Sequence, residues 1–184
     1  NRVQPRVRQS GNIERIGSGS GLFLLNRADG SWLSSGDDLA EESVYRCFRD
    51  REGGLWIGTF FCGVNYLSPR QNEIRWYYDD GHPESLKGNA VSQFCEDSKG
   101  NLWIATENGG LNYFDVKNST FTDYPSRSHN NLHALCIDDN DLWIGTFPRG
   151  LDPMDLRTGQ LLNYRNVPDA PASLCKHHVY VIPT

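Results

Sequence analysis

The sequence predicts an all-β chain built from about four copies of one four-stranded antiparallel sheet. Three observations predict it. An LWI(G/A)T motif recurs in phase from Leu55, Leu102 and Leu142, with a degenerate IGSGS copy from Ile16. The isoleucines of these motifs, Ile16, Ile57, Ile104 and Ile144, stand 40–47 residues apart. Each motif is flanked by runs of alternating apolar and polar residues, rich in aromatics and bounded by Gly, Asn or Asp, which is the pattern of half-buried strands. A four-stranded repeat of that length is a β-propeller blade, and a blade buries its faces only by stacking on its neighbours.

Within a copy the strands follow one order. The first is an alternating run ending in Asp: VYRCFRD to Asp50, VSQFCED to Asp97 and LHALCID to Asp138. A turn follows, REGG, SKGN or DN. The second strand carries Trp56, Trp103 or Trp143 just before the motif isoleucine. The third opens at Gly21, Gly63, Gly110 or Gly150, where a bulge or close backbone approach is expected. Pro153 falls inside one third strand and predicts a bulge there, because it removes a ladder donor. The fourth strand ends in Tyr77, Tyr124 or Tyr164, and Trp32 occupies the equivalent stretch of the first copy.

These boundaries give a part-blade at 11–37, blades at 44–79, 90–125 and 131–165, and the first strand of a next blade at 178–184. The first copy has Arg15 where the others have Trp, and it reads as lacking its first strand. In the tail, Ser173, Leu174 and Val179 align with Ser85, Leu86 and Val91. The expectation is a segment of a larger propeller. The alternative is a closed ring of four blades, in which Val179–Pro183 supplies the strand the first copy lacks.

Composition removes several function classes. With 5 Trp, 8 Tyr and 8 Phe in 184 residues, the chain has too much aromatic surface for a disordered protein. A net charge of −5, with basic residues gathered only at Arg2, Arg6, Arg8 and Arg15, argues against a nucleic-acid partner. No run of about 18 apolar residues is present to span a membrane as a helix. The start shows no signal-peptide pattern, and a mature extracytoplasmic protein would look the same. Cys47, Cys62, Cys95, Cys136 and Cys175 have no metal-ligand spacing. They read as small buried residues without a disulfide, and no metal or cofactor is expected.

Most of the polar motifs have structural explanations. Asp50, Asp97 and Asp138 recur once per blade before a turn, so they read as turn caps rather than catalytic or calcium-binding groups. The repeat tryptophans read as blade-to-blade core rather than a sugar platform. The Gly17–Gly21 run lacks the Lys and helix of a phosphate loop and reads as a turn. No convergent His/Glu or Tyr/Arg set is visible that would supply acid–base chemistry.

The informative positions are those where the repeat breaks its own rule. Between the LWI(G/A)T motif and the third-strand Gly, one copy has Glu107–Asn108. The others have Phe60–Phe61–Cys62 and Phe147–Pro148–Arg149. In a propeller this loop opens on the same face as the loop entering the first strand. Exposed aromatics there are costly unless they meet a ligand, and Arg offers a planar fork for carboxylate or sulfate. Candidate ligand-binding residues are therefore Phe60, Phe61, Glu107, Asn108, His133, Phe147, Arg149 and His178. Packing of the aromatics against a neighbouring blade is the competing reading.

The phased pattern, best matched at Val91–Tyr124 and nearly as well at Val44–Tyr77 and Leu132–Tyr164, resembles the two-component regulator propeller repeat. The resemblance covers about 150 residues. It implies a non-catalytic periplasmic sensor region, the ectodomain of an inner-membrane hybrid two-component system of the Bacteroides type, whose parent protein is a histidine kinase. It further implies detection of glycan fragments, so that an oligosaccharide, the remaining blades and a following domain are the expected partners, with a homodimer as a further one. A propeller enzyme of the polysaccharide-lyase or streptogramin-lyase type, or a protein-interaction scaffold, is the alternative.

Overall fold

The computed structural model describes residues 6–10, 12–34, 39, 43–69, 74–124, 130–147, 149–167, 170, 173, 174, 179 and 182. Its regular elements are all strands, arranged as four consecutive antiparallel sheets. Blade one holds β1 (Arg6–Ser10), β2 (Ile13–Ser18), β3 (Gly21–Asn26) and β4 (Trp32–Ser34). Blade two holds β5 (Val44–Arg49), β6 (Leu55–Thr59), β7 (Val64–Leu67) and β8 (Ile74–Tyr77). Blade three holds β9 (Val91–Glu96), β10 (Leu102–Thr106), β11 (Gly110–Asp115) and β12 (Thr120–Tyr124). Blade four holds β13 (Leu132–Asp138), β14 (Asp141–Thr146) and β15 (Gly150–Asp155).

Two expectations are corrected here. The first copy is a full four-stranded sheet rather than a part-blade, because Arg6–Ser10 pairs antiparallel with β2, Arg6 opposite Ile16. Its polar sequence RVRQS hid it. The first-strand place that four-blade closure reserved for Val179–Pro183 is thereby filled. The second correction concerns Pro153. The β14–β15 register runs unbroken through Trp143 opposite Pro153, so no bulge forms there. The missing donor faces the outer flank instead, where Pro153 offers only its carbonyl, to Leu162 N–H at 3.0 Å. The fourth strand of this blade is reduced to isolated bridges at Leu161 and Tyr164.

The core lies between blades. Leu22, Val44, Leu55 and Ile57 form one cluster where blades one and two meet. Trp56, Val64, Val91, Phe94, Leu102 and Phe114 form another between blades two and three. Trp103, Leu111, Leu132, Leu135, Leu142 and Met154 fill the space between blades three and four. The glycine of LWIGT follows from this stacking: a Cβ at Gly58 would stand 2.7 Å from Val91 Cγ1 of the next blade. A Cβ at Gly145 would likewise stand 2.9 Å from Val179 Cγ1. Val179 therefore sits against blade four as Val91 sits against blade two. Of the strand expected at 178–184, only Val179 and Ile182 lie among the described residues.

Turn chemistry separates the blades. Asp50 accepts Gly54 N–H at 2.7 Å and the Trp56 indole N–H at 2.8 Å. Asp97 accepts Lys99 and Asn101 N–H, and its second oxygen takes the Tyr113 hydroxyl at 2.8 Å. Burial and that bond push the Tyr113 hydroxyl up to about 12. Asp138 instead closes a two-residue hairpin opposite Asp141, with Asp139 at φ 53. Among the described cysteines, Cys47, Cys95 and Cys136 are free thiols.

Candidate functional site

The loops between second and third strands are built alike. Thr59, Thr106 and Thr146 are buried, and each donates its hydroxyl to the carbonyl of Gly63, Gly110 or Gly150, at 3.0–3.1 Å. Those glycines have φ of 73°, 80° and 96°, a region that L side chains rarely adopt. The Thr–Gly clasp fixes both ends of the loop and leaves the intervening side chains free to vary. The loop is also tied to the residue entering the first strand of its own blade: Phe60 N–H to Ser43, Glu107 to Ala90, Phe147 to Asn131. Both loop types therefore open on one face.

A second repeated feature aims side chains onto that face. The inner strands of blades two, three and four each have a register shift at the second residue, between Val44 and Arg46, Val91 and Gln93, and Leu132 and Ala134. The extra residues are Tyr45, Ser92 and His133. A bulge re-aims the side chain it carries and ends local pairing. Ser92 is small enough to turn inward, where its hydroxyl donates to Leu132 O at 2.6 Å. Tyr45 and His133 are too large for that place and reach across the loops.

Both converge on Glu107. Tyr45 donates its hydroxyl to Glu107 Oε1 at 2.7 Å, and His133 Nδ1 stands 3.6 Å from the same oxygen. Blades two, three and four thus share one carboxylate. The two partners of this contact are largely shielded, His133 at 12% and Glu107 at 23% side-chain exposure. Burial lowers the His133 pKa from its ordinary value, and the Glu107 charge opposes that shift. Aromatic rings continue the cluster on both sides. Tyr45 stacks on Phe60 with centroids 5.5 Å apart, Phe60 meets Phe61 edge-on at 4.3 Å, and His133 meets Phe147 edge-on at 6.1 Å.

Of the residues chosen from sequence, the fold brings Phe60, Glu107, His133 and Phe147 into one cluster. Phe61 lies at its edge, 62% exposed. Arg149 is exposed on the blade-four loop. Asn108 is exposed, and its side-chain oxygen accepts Ala90 N–H at 3.4 Å. His178 lies outside the described residues. Tyr45 was missed, because it looked like an ordinary strand residue, and the signal was its alignment with His133. The convergent His/Glu set that the sequence did not show is present in His133, Glu107 and Tyr45, contributed by three blades.

The model of the two-component regulator propeller family matches residues 38–61 and 85–108. Each match runs from before an inner strand to the candidate loop, ending at Phe61 and at Asn108. The two matches fall on blades two and three. No curated protein matches the chain in sequence. Among solved structures, the chain is similar to the extracellular domain of a putative hybrid two-component system of B. thetaiotaomicron. That match has 25% identity and a TM-score of 0.77, over 97% of this chain and 23% of that one. A second such extracellular domain from the same organism matches at 21% identity and a TM-score of 0.80, over 96% and 24%. The chain thus spans about a quarter of the length of these domains. Virginiamycin B lyase from Staphylococcus aureus shares the fold alone, at 13% identity and a TM-score of 0.69, over 92% and 57%.

Proposed function

We propose that this chain is part of the periplasmic sensor propeller of a hybrid two-component system. On this reading it binds glycan fragments on its loop face and passes the signal to a kinase elsewhere in the parent protein. The observation that carries the reading is the cluster running Phe61–Phe60–Tyr45–Glu107–His133–Phe147 across three blades. Rings present apolar faces to the C–H face of a sugar, while a carboxylate, a phenol and an imidazole meet its hydroxyls. The clasped loops hold these groups on a rigid frame, which limits the ordering cost of binding. Further blades, the following domain and a second copy of the chain are its proposed protein partners.

Calorimetry with neutral and acidic oligosaccharides tests this. Phe147→Ala and Arg149→Ala should each weaken binding by about 1–3 kcal/mol, the range for loss of an anchor contact. Both should leave the melting temperature near the wild-type value, since the Thr146–Gly150 clasp survives. Unchanged affinity in both variants would remove this face as the site. The Tyr45–Glu107–His133 set also keeps an enzyme reading testable, because it has the groups of an acid–base centre. Recovery of intact oligosaccharide after prolonged incubation supports a sensor, and cleaved product supports an enzyme.

A further inference from the structure

We propose that the groove between the outer strands of blades two and three is a second carbohydrate subsite, selective for a neutral pyranose. This rests on the glycan reading of the loop face and extends it outward along blade two. The groove encloses about 230 Å³, below the roughly 300 Å³ at which drug-sized pockets begin, so it suits one sugar ring rather than a long segment.

Trp76 and Tyr78 form one wall. They are 47% and 41% exposed, large for rings of this size, and stack on each other with centroids 4.3 Å apart and planes 26° from parallel. The Trp76 indole N–H is spent on the Cys62 carbonyl. The stack is therefore fixed in advance, and it is tied to the loop that carries Phe60 and Phe61. Leu86 and Phe121, both buried core residues, also line the groove. Two rings held open beside an apolar lining offer a stacking surface, and leaving that surface bare is unfavourable in water.

The remaining lining sets the ligand class. Asp80 and Glu84 both line the groove. Asp80 accepts His82 N–H at 2.9 Å, and its hydrogen bonds hold the carboxyl below the ordinary carboxylate range, so it is ionised near neutrality. Lys87, a cation on this turn, points its ammonium at the His82 carbonyl and at Ser85 Oγ, 3.3 Å away. Carboxylates accept hydrogen bonds from sugar hydroxyls and repel uronate or sulfate groups. Stacking rings beside acceptors of negative charge fit a neutral sugar.

The test titrates the full chain with cellotetraose, mannotetraose, xylotetraose and maltotetraose as neutral probes and trigalacturonate as the acidic one. At least one neutral probe should bind. Trp76→Ala and Tyr78→Ala should each weaken it tenfold or more without lowering the melting temperature. The Trp76 indole N–H resonance of the wild-type chain should shift on saturation, which needs no variant to fold. Binding that survives both substitutions within twofold, yet falls in Phe147→Ala, overturns the groove and leaves the glycan reading standing. Trigalacturonate binding more tightly than every neutral probe overturns the ligand class. No binding of any probe overturns both proposals.

Discussion

His133 and Glu107 show how one residue type gains a role from its place in the repeat. The bulge that seats His133 buries the ring, and burial disfavours the charged imidazolium, lowering its pKa below the ordinary 6.5. Glu107, 3.6 Å away, favours the charged form and offsets part of that shift. The net depression means that the unfolded chain binds the proton more readily than the folded one. Stability should therefore fall as pH drops below about 6.5 through the lower folded value, and be unaffected by this group above it. An NMR titration of the His133 ring should report a value under 6.5. Glu107→Gln removes the attractive charge and should move the value further down. A wild-type value at or above 6.5, or an upward move in Glu107→Gln, would contradict this account.

At the scale of the blade, the repeat tryptophans differ in what holds them. Trp56 is buried against Tyr66 and Phe114 and donates to Asp50 at 2.8 Å. Trp103 is buried against Tyr113 and Tyr124, but its indole N–H is buried without an acceptor, because Asp97 is taken by Tyr113. Trp103→Ala should cost about 3–5 kcal/mol as a core truncation. Replacement by Phe should separate the two sites: Trp56→Phe strands the Asp50 oxygen and should cost about 1 kcal/mol more than Trp103→Phe. Equal costs in urea unfolding would show that the Asp50 bond contributes nothing. These strands were legible in the sequence because the stacking of blades repeats Trp, Ile and Gly at fixed phase. β1 was not, because RVRQS carries none of those markers. The effect of Pro153 was misplaced for a different reason: which flank its missing N–H faces depends on register, and composition does not reveal register. The bulges at Tyr45, Ser92 and His133 escaped for the same cause, and with them the convergence on Glu107.

Over the whole molecule, the fold divides labour between what repeats and what varies. The Thr–Gly clasps, the Trp–Ile strands and the inter-blade clusters recur from blade to blade and fix a frame. Phe60, Phe61, Glu107, Phe147 and Arg149 differ between blades and lie on the loops those clasps hold. That arrangement makes the loop face the place for ligand contact, while the opposite face, with Asp50 and Asp97 turns, is committed to holding hairpins closed. The direct test is amide chemical-shift mapping of the full chain titrated with the neutral tetrasaccharides. Perturbations are expected at Phe60–Cys62, Glu107 and Phe147, with the resonances of Arg51–Gly53 and Lys99–Asn101 unchanged. Perturbations confined to the Arg51–Gly53 and Lys99–Asn101 turns would contradict it.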